Sequence, residues 1–415
     1  MKFSSGPLKP LVMLVAILSA LTTIMSQSWA DAASSATYNF SDPVSVLTSD
    51  DMQSMGFRGY PDMPIGVIRE PSGEYAIFGS GFSLNLKAMP QGTYKFVGTL
   101  NHFEPAKSGS RWPRPSLLDG LAQPSPDGSD FDADYAGGGP TYILAADPRW
   151  NNQPILLQIY HGEYHYNTNG HIWYGVSGMA ISYDDGKSFV KIGQILSPSM
   201  TRDDFYQAVM QRPRKMGGLS SDGFLIEADA SGRAITDVKA NPDQVYYYIL
   251  FGDVLTGDKS LKEGIAIARV KKVEALDAIA HKKAPAFKKY YQNDFTEPGL
   301  GGNAALLVTE AARPGHVAQP QVLYNAYLKK FILCYMINQK KILLRTSDDL
   351  FHWSDPVVAF ESTDPDFHVY YPSMAGQGAD PAVLDKEFFL YFIVRPPTSW
   401  NNAALKQEKI TIEEK

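Results

Sequence analysis

Residues 177–197 read Ser-Gly-Met-Ala-Ile-Ser-Tyr-Asp-Asp-Gly-Lys-Ser-Phe-Val-Lys-Ile-Gly-Gln-Ile-Leu-Ser, and residues 342–361 read Ile-Leu-Leu-Arg-Thr-Ser-Asp-Asp-Leu-Phe-His-Trp-Ser-Asp-Pro-Val-Val-Ala-Phe-Glu. Each is an apolar strand, a Ser-x-Asp turn, an aromatic residue and a second apolar strand. That is the pattern of an antiparallel hairpin whose turn is tightened by side-chain to backbone hydrogen bonds. A hairpin recurring along the chain predicts radial repetition of small sheets. The fold class expected is all-β, a five-bladed β-propeller.

Working outward, five strand pairs fit this reading: 64–69 with 75–80, 141–146 with 155–160, 223–228 with 245–251, 320–324 with 331–337, and 381–384 with 388–394. Third strands are expected at 82–87, 179–183, 265–270, 342–346 and 409–412. The chain ends just after the last of these, so the fifth blade lacks an outer strand. Residues 36–40 are expected to supply it and so remove the open edge. Outside 273–280, little helical periodicity is found.

The layout sorts connections by face. Short turns join first to second strands. The long segments 101–139, 161–176, 198–221, 252–263, 293–318, 362–380 and 395–408 collect on the other face, called the loop face below. Long loops on a rigid scaffold are where function concentrates. By this logic Asp147, in Asp-Pro-Arg-Trp, is a turn former, and Asp184 and Asp348 of the Ser-x-Asp turns are structural.

Lys2 and Lys9 precede an apolar run from Leu11 to Ile24, followed by Ser28-Trp29-Ala30. The run is short for a bilayer span and reads as a signal peptide, residues 1–30, leaving 31–415 as one domain, periplasmic or secreted and without a membrane anchor after cleavage. Cys334 is the single cysteine, so the chain makes no internal disulfide. A net charge of −6 argues against nucleic acid as a partner. The 23 Tyr, 21 Phe and 6 Trp suit both strands and a sugar-binding surface.

The densest polar stretch is Tyr160-His161-Gly162-Glu163-Tyr164-His165-Tyr166-Asn167, with His171 and Trp173 close behind. In an extended chain His161, Glu163 and His165 share one face, an arrangement open to acid–base chemistry, to metal binding, or to a self-ordering polar loop. Asp222 opens the third inner strand and Asp62 precedes the first. Asp130, Asp132 and Asp134 form an acidic run without a full calcium-loop spacing. No cofactor is expected, a structural calcium in or near the channel being the one ion considered. Arg58, Arg111, Arg202, Arg212, Arg214 and Arg395 are loop-face cations able to grip a carboxylate or sulfate on a sugar. Arg58, Arg395, Tyr371, His161, His165, His171 and Trp173 are the candidate substrate-binding residues.

In blade number and hairpin style the chain resembles the five-bladed β-propeller glycoside hydrolases, the arabinanase and xylosidase group, with invertase-like and agarase-related cousins. The resemblance implies acidic groups at the starts of the first three inner strands, two of which work across a glycosidic bond. Its first-blade base falls at Pro64, with Asp62 two residues earlier. Its third-blade acid falls on Asp222. Its second-blade acid falls near Thr141, where no acid stands, and Glu163 is the neighbouring substitute. The resemblance thus implies a carbohydrate-active protein acting on an oligosaccharide or polysaccharide, with Asp62 as base, Asp222 as acid and Glu163 beside them. A glycan-binding propeller without catalysis, serving polysaccharide assembly or recognition, and a protein-interaction scaffold are the other classes.

Overall fold

The computed structural model describes residues 36–54, 57–83, 92–105, 126, 128–166, 172–210, 216–219, 223–235, 241–253, 263–310, 317–397, 399 and 402–413. Residues 1–30, read as a signal peptide, lie outside these. The main compact unit comprises residues 40–411. Among the described residues no helix is long and apolar enough to cross a membrane.

Five antiparallel sheets form the blades of a propeller. Blade one runs Gly66–Arg69, Tyr75–Ser83, Gly92–Thr99 and His102–Pro105. Blade two runs Tyr135–Leu144, Ile155–His165, Trp173–Ser182 and Val190–Leu196. Blade three runs Leu225–Ala228, Tyr246–Asp253, Gly264–Lys271, Lys288–Tyr291 and Asp294–Pro298. Blade four runs Val317–Asn325, Lys330–Ile337, Lys341–Ser347 and Val357–Glu361. Blade five is led by His368–Gly376, Glu387–Arg395 and Ala404–Glu413. The middle strands are almost uninterrupted apolar runs, as strands covered on both faces must be. Between blades one and five, Phe57, Tyr60, Ile77, Tyr94, Phe96, Tyr391, Ile393 and Leu405 are buried in one cluster. Each such side chain contributes about 2 kcal/mol on leaving water.

Two of the expected strands lie elsewhere. The inner strand of blade five is His368–Gly376, inside the expected loop 362–380. Val383–Leu384 is a two-residue strand that pairs in parallel with Tyr324 and Asn325 of blade four. The third strand of blade one is Gly92–Thr99, because Phe82 and Ser83 still belong to the second strand. The misplaced inner strand has a physical cause. Pro372 sits inside it at a bulge, between the pairs Tyr370↔Ile393 and Ser373↔Tyr391. A proline in an apolar run reads as a strand end, since it donates nothing to a ladder. The same device recurs with Pro140 between Gly138 and Thr141, and Pro320 between Ala318 and Gln321.

These bulges stitch neighbouring inner strands together around the channel. Ile65 N donates to Ser373 Oγ at 2.9 Å. Gln321 Nε2 donates to Met374 O at 3.2 Å, and Met374 N donates back to Gln321 Oε1. Gly66 lies so close to blade two that a Cβ there would stand 2.3 Å from Gly139 O.

The Ser-x-Asp turns form as expected, with one change of residue. Asp184 accepts from Ser182 Oγ at 2.8 Å and from Ser188 N at 2.9 Å. In the second turn that work falls to Asp349, which accepts from Phe351 N and His352 N at 3.0 and 2.9 Å. Asp348 instead pairs with Lys330 at 2.7 Å. Asp147 caps a short 3-10 turn, Pro148–Trp150, and accepts from Arg149 N at 2.9 Å. In the last blade, Val44–Leu47 pairs antiparallel with the C-terminal strand, Val44 opposite Gln407. Ser41 N donates to Lys409 O at 3.0 Å just before it.

Candidate active site

Blade one's inner strand is broken. Phe57–Gly59 pairs with one end of Tyr75–Ser83 and Gly66–Arg69 with the other. Between them residues 60–65 leave the ladder, and Asp62 N donates to Ser80 O at 2.8 Å. Tyr60 anchors the detour, its ring buried 4.6 Å from that of Phe96. The break gives the Asp62 carboxyl its place between blades two and five.

Asp62 Oδ2 accepts from Tyr135 Oη at 3.1 Å, and Oδ1 accepts from Tyr371 Oη at 3.0 Å. Tyr371 is held in a left-handed conformation, φ 56°, by the bulge before Pro372, and its N donates to Gln319 Oε1 at 2.6 Å. Gln319 occupies the corresponding bulge in blade four, with φ 61°. Non-glycine residues are uncommon in this conformation, and these two stand just before the prolines of their bulges. Asp62 is 8 % exposed. Burial, and then the charge of Glu163, push its carboxyl up to about 8, while the two phenols and Arg395 pull the other way. Asp62 thus holds its proton to higher pH than an ordinary carboxyl. Tyr135 Oη also lies 2.5 Å from Ser80 Oγ. Its proton can turn to Ser80 while its oxygen accepts from a protonated Asp62.

Glu163 sits in a strand, not in the expected loop. Ile155–His165 continues past Tyr160, with Glu163 opposite Tyr135 on one side and Gly175 on the other. The two-residue period puts His161, Glu163 and His165 on one face. His165 Nε2 lies 2.6 Å from Glu163 Oε2, and His161 Nε2 lies 3.4 Å from Oε1. Burial pushes the Glu163 carboxyl up, but bonds and charge from His161 and His165 outweigh it and leave it below its ordinary value. The same bond to Glu163 raises His165. Gly175 makes the cluster fit, because a Cβ there would stand 2.6 Å from His161 Cε1. Trp173 meets the His161 ring edge-on, with centroids 5.6 Å apart.

On the other flank, the Arg395 guanidinium lies over the Tyr370 ring at 4.4 Å, and Tyr370 neighbours Tyr371 at 5.8 Å between centroids. Asp62, Tyr371, Glu163, His161, His165, Trp173 and Arg395 thus belong to one neighbourhood. Asp222, His171, Arg111, Arg212 and Arg214 lie outside the described residues, as does the side chain of Arg58. Arg202 is engaged elsewhere, with Asp130 at 2.7 Å and over the Tyr164 ring at 4.2 Å.

The acidic run 130–134 disperses. Asp132 is buried with Lys191, at 2.8 Å, and Tyr160, and Asp134 accepts from His165 N at 2.7 Å. Among the described residues no group of three His, Cys, Asp or Glu is placed to hold a metal. Tyr135, Ser80, Gln319, Tyr370 and His368 were missed from sequence. The recurring x-Pro at Gly139-Pro140, Gln319-Pro320 and Tyr371-Pro372 was the signal that could have found two of the bulges facing Asp62.

No family model and no curated protein matches the chain. Among solved structures, the catalytic domain of a GH62 α-L-arabinofuranosidase from Coprinopsis cinerea is similar at 11 % identity and TM-score 0.45, covering 90 % of this chain and 96 % of that one. The GH62 α-L-arabinofuranosidase PaAbf62A from Podospora anserina, in complex with cellotriose, gives 10 %, 0.45, 89 % and 95 %. A GH62 hydrolase in complex with xylotriose gives 10 %, 0.48, 90 % and 96 %. Likenesses of this size say nothing of what this chain acts on.

Proposed function

We propose that this chain is a carbohydrate-active enzyme, a glycoside hydrolase, in which Asp62 is the general acid and Glu163 the ionised carboxylate. The observation carrying this reading is a pair of buried carboxyl groups in opposed surroundings, Asp62 between two phenols and pushed up to about 8, Glu163 between two histidines at 3.4 and 2.6 Å and held below its ordinary value. Environments that push two acids apart mark out acid and base. Hydrolysis then proceeds as follows. Asp62 gives its proton to the glycosidic oxygen as the carbon–oxygen bond breaks, and Glu163 either takes a proton from the water that attacks the anomeric carbon or attacks that carbon itself, forming an ester that water then cleaves. His161 and His165 orient Glu163, and His165 stabilises its charge. Trp173 offers an apolar face to a sugar ring. The basic and then apolar start of the chain supports export, in keeping with a polysaccharide substrate.

The test is a polysaccharide-digestion screen on the purified chain, followed by Asp62→Asn and Glu163→Gln. Each variant is expected to lose several powers of ten in turnover. Near-full activity in either sinks the assignment. A second reading, glycan binding without turnover, draws on the engagement of both Glu163 oxygens by histidines. It predicts sugar binding that survives Asp62→Asn and no reducing ends released by the parent chain.

A further inference from the structure

We infer that the rim joining blades four and five beside Asp62 is a subsite for an anionic group on the sugar, a carboxylate or a sulfate, so that the substrate is an acidic glycan. The inference rests on the proposed carbohydrate site and adds its substrate class.

Three basic side chains converge there. His368 and Arg395 are direct cross-strand partners at the loop-face ends of their strands. Both are partly exposed, as is Tyr371. Lys340 Nζ donates to the carbonyls of Asp364 at 2.8 Å, Pro365 at 3.2 Å and Phe367 at 2.5 Å, the last adjoining His368. Carbonyls hold an ammonium in place without neutralising it. Arg395 Nη1 donates to the carbonyls of Pro396 and Pro397 at 2.9 and 3.1 Å, and its plane is fixed over Tyr370. Burial, then the positive charges of Lys340 and Arg395, hold His368 below its ordinary value. Both positive charges therefore reach the His368 ring, and an anion between them would favour its protonation.

Three of the carboxyl groups nearby are buried or already paired. Asp62 is buried between Tyr135 and Tyr371, and its carboxyl is pushed up to about 8. Glu163 is held by His161 and His165. Glu361 pairs with Lys341 at 3.0 Å. Asp364 and Asp366 are exposed acids of the loop that Lys340 holds, Asp364 Oδ1 accepting from Asp366 N, so the guanidinium of Arg395 is the member of the cluster placed to take the anion. A cationic rim on a chain of net charge −6 is a local feature, not a by-product of composition. A guanidinium with a fixed plane suits a carboxylate or sulfate, which accepts two parallel N–H bonds. The rim adjoins the acid directly, through Tyr370, Tyr371 and Asp62, so the charged ring would occupy a position next to the bond that is cut.

The test uses the full chain and saturation-transfer NMR with titration. The probes are galacturonate and glucuronate oligosaccharides, their methyl esters, a sulfated oligosaccharide and a neutral one. The ester keeps the ring and removes the charge. At least one free acid or the sulfated sugar is expected to bind about tenfold more tightly than its uncharged counterpart. The arm that does so tells carboxylate from sulfate. Arg395→Gln should abolish the preference, read as the ratio of acid to ester affinity, and Arg395→Lys should restore part of it. Lys340→Gln, which removes the second cation, serves if Arg395→Gln fails to fold by circular dichroism. Equal binding of charged and uncharged sugars, absence of binding by every acidic sugar, or a preference that survives Arg395→Gln overturns the inference. The hydrolase reading fails separately: Asp62→Asn should stop turnover while leaving the charge preference in place. Cleavage of a neutral polysaccharide indifferent to Arg395→Gln would sink the subsite alone.

Discussion

Asp62 links the site to stability in a direction opposite to most carboxylates. Its ordinary value is 3.8 and its folded value about 8. Between those pH values the folded chain keeps a proton that the unfolded chain has released, so stability falls as pH rises through the window and levels off above it. Each unit of displacement is worth about 1.4 kcal/mol as an upper bound, so the whole effect is on the order of a few kcal/mol. Asp62→Asn keeps the shape and removes the titration. Urea unfolding at pH 5 and pH 8 should show a shallower loss in the variant, and greater stability than the parent at pH 8. An unchanged slope would mean that Asp62 titrates normally. The neighbours make two further, opposed forecasts. Tyr371→Phe removes a bond that lowers the Asp62 carboxyl, so its titration should move up. Glu163→Gln removes a charge that raises it, so the titration should move down. Carbon-13 NMR of aspartate-labelled chain follows both without a substrate, with Asp62→Asn identifying the signal. Shifts in the same direction would show that the two groups do not act on Asp62 as the geometry requires.

The inner strands owe their bulges to proline, and the bulges own the site. Gln321 is fully buried and fills both bonding positions of Met374 in the next blade. Gln321→Ala would strand a buried N–H and a carbonyl, at a cost of about 1–3 kcal/mol. Thermal unfolding should fall by roughly 2 °C per kcal/mol for a chain of this size. No change in melting would mean that the strands hold without this stitch. The same elements explain what the sequence disclosed. The hairpin pattern around Asp184 and the apolar middle strands were legible because tight turns and buried strands each leave a local composition. The inner strand His368–Gly376 was hidden because Tyr371 and Pro372 break its ladder, which locally looks like a loop. Glu163 is legible as a candidate from the His-x-Glu-x-His period alone, although the long polar segment around it reads as a loop and is a strand. Tyr135 and Tyr371 as partners of Asp62 were not legible, since they meet it from blades two and five, 73 and 309 residues away along the chain. Such meetings follow from ring closure, and no local pattern records them.

Ring closure is itself a testable property of the whole molecule. A propeller whose first and last blades are not tied must hold its ring by side-chain packing alone, and the last strand would present an open edge of N–H and C=O groups. Here Val44, Ser45 and Leu47 pair with Gln407, Lys406 and Leu405. Leu47 and Leu405 also enter the cluster shared with Phe57, Tyr94, Phe96 and Tyr391. The N-terminal segment therefore contributes both edge bonds and core. Removing residues 36–47 takes away both at once. The truncated chain should melt about 5 °C or more below the parent, and it should associate at high concentration through the exposed Ala404–Glu413 strand. Replacing Val44 and Ser45 with proline keeps the chain length and Leu47 but removes two backbone donors, so it separates the edge effect from the core effect. The proline variant should associate like the truncation while melting closer to the parent. If both variants melt with the parent and stay monomeric in sedimentation, residues 36–47 take no part in holding the ring, and the packing between blades one and five suffices.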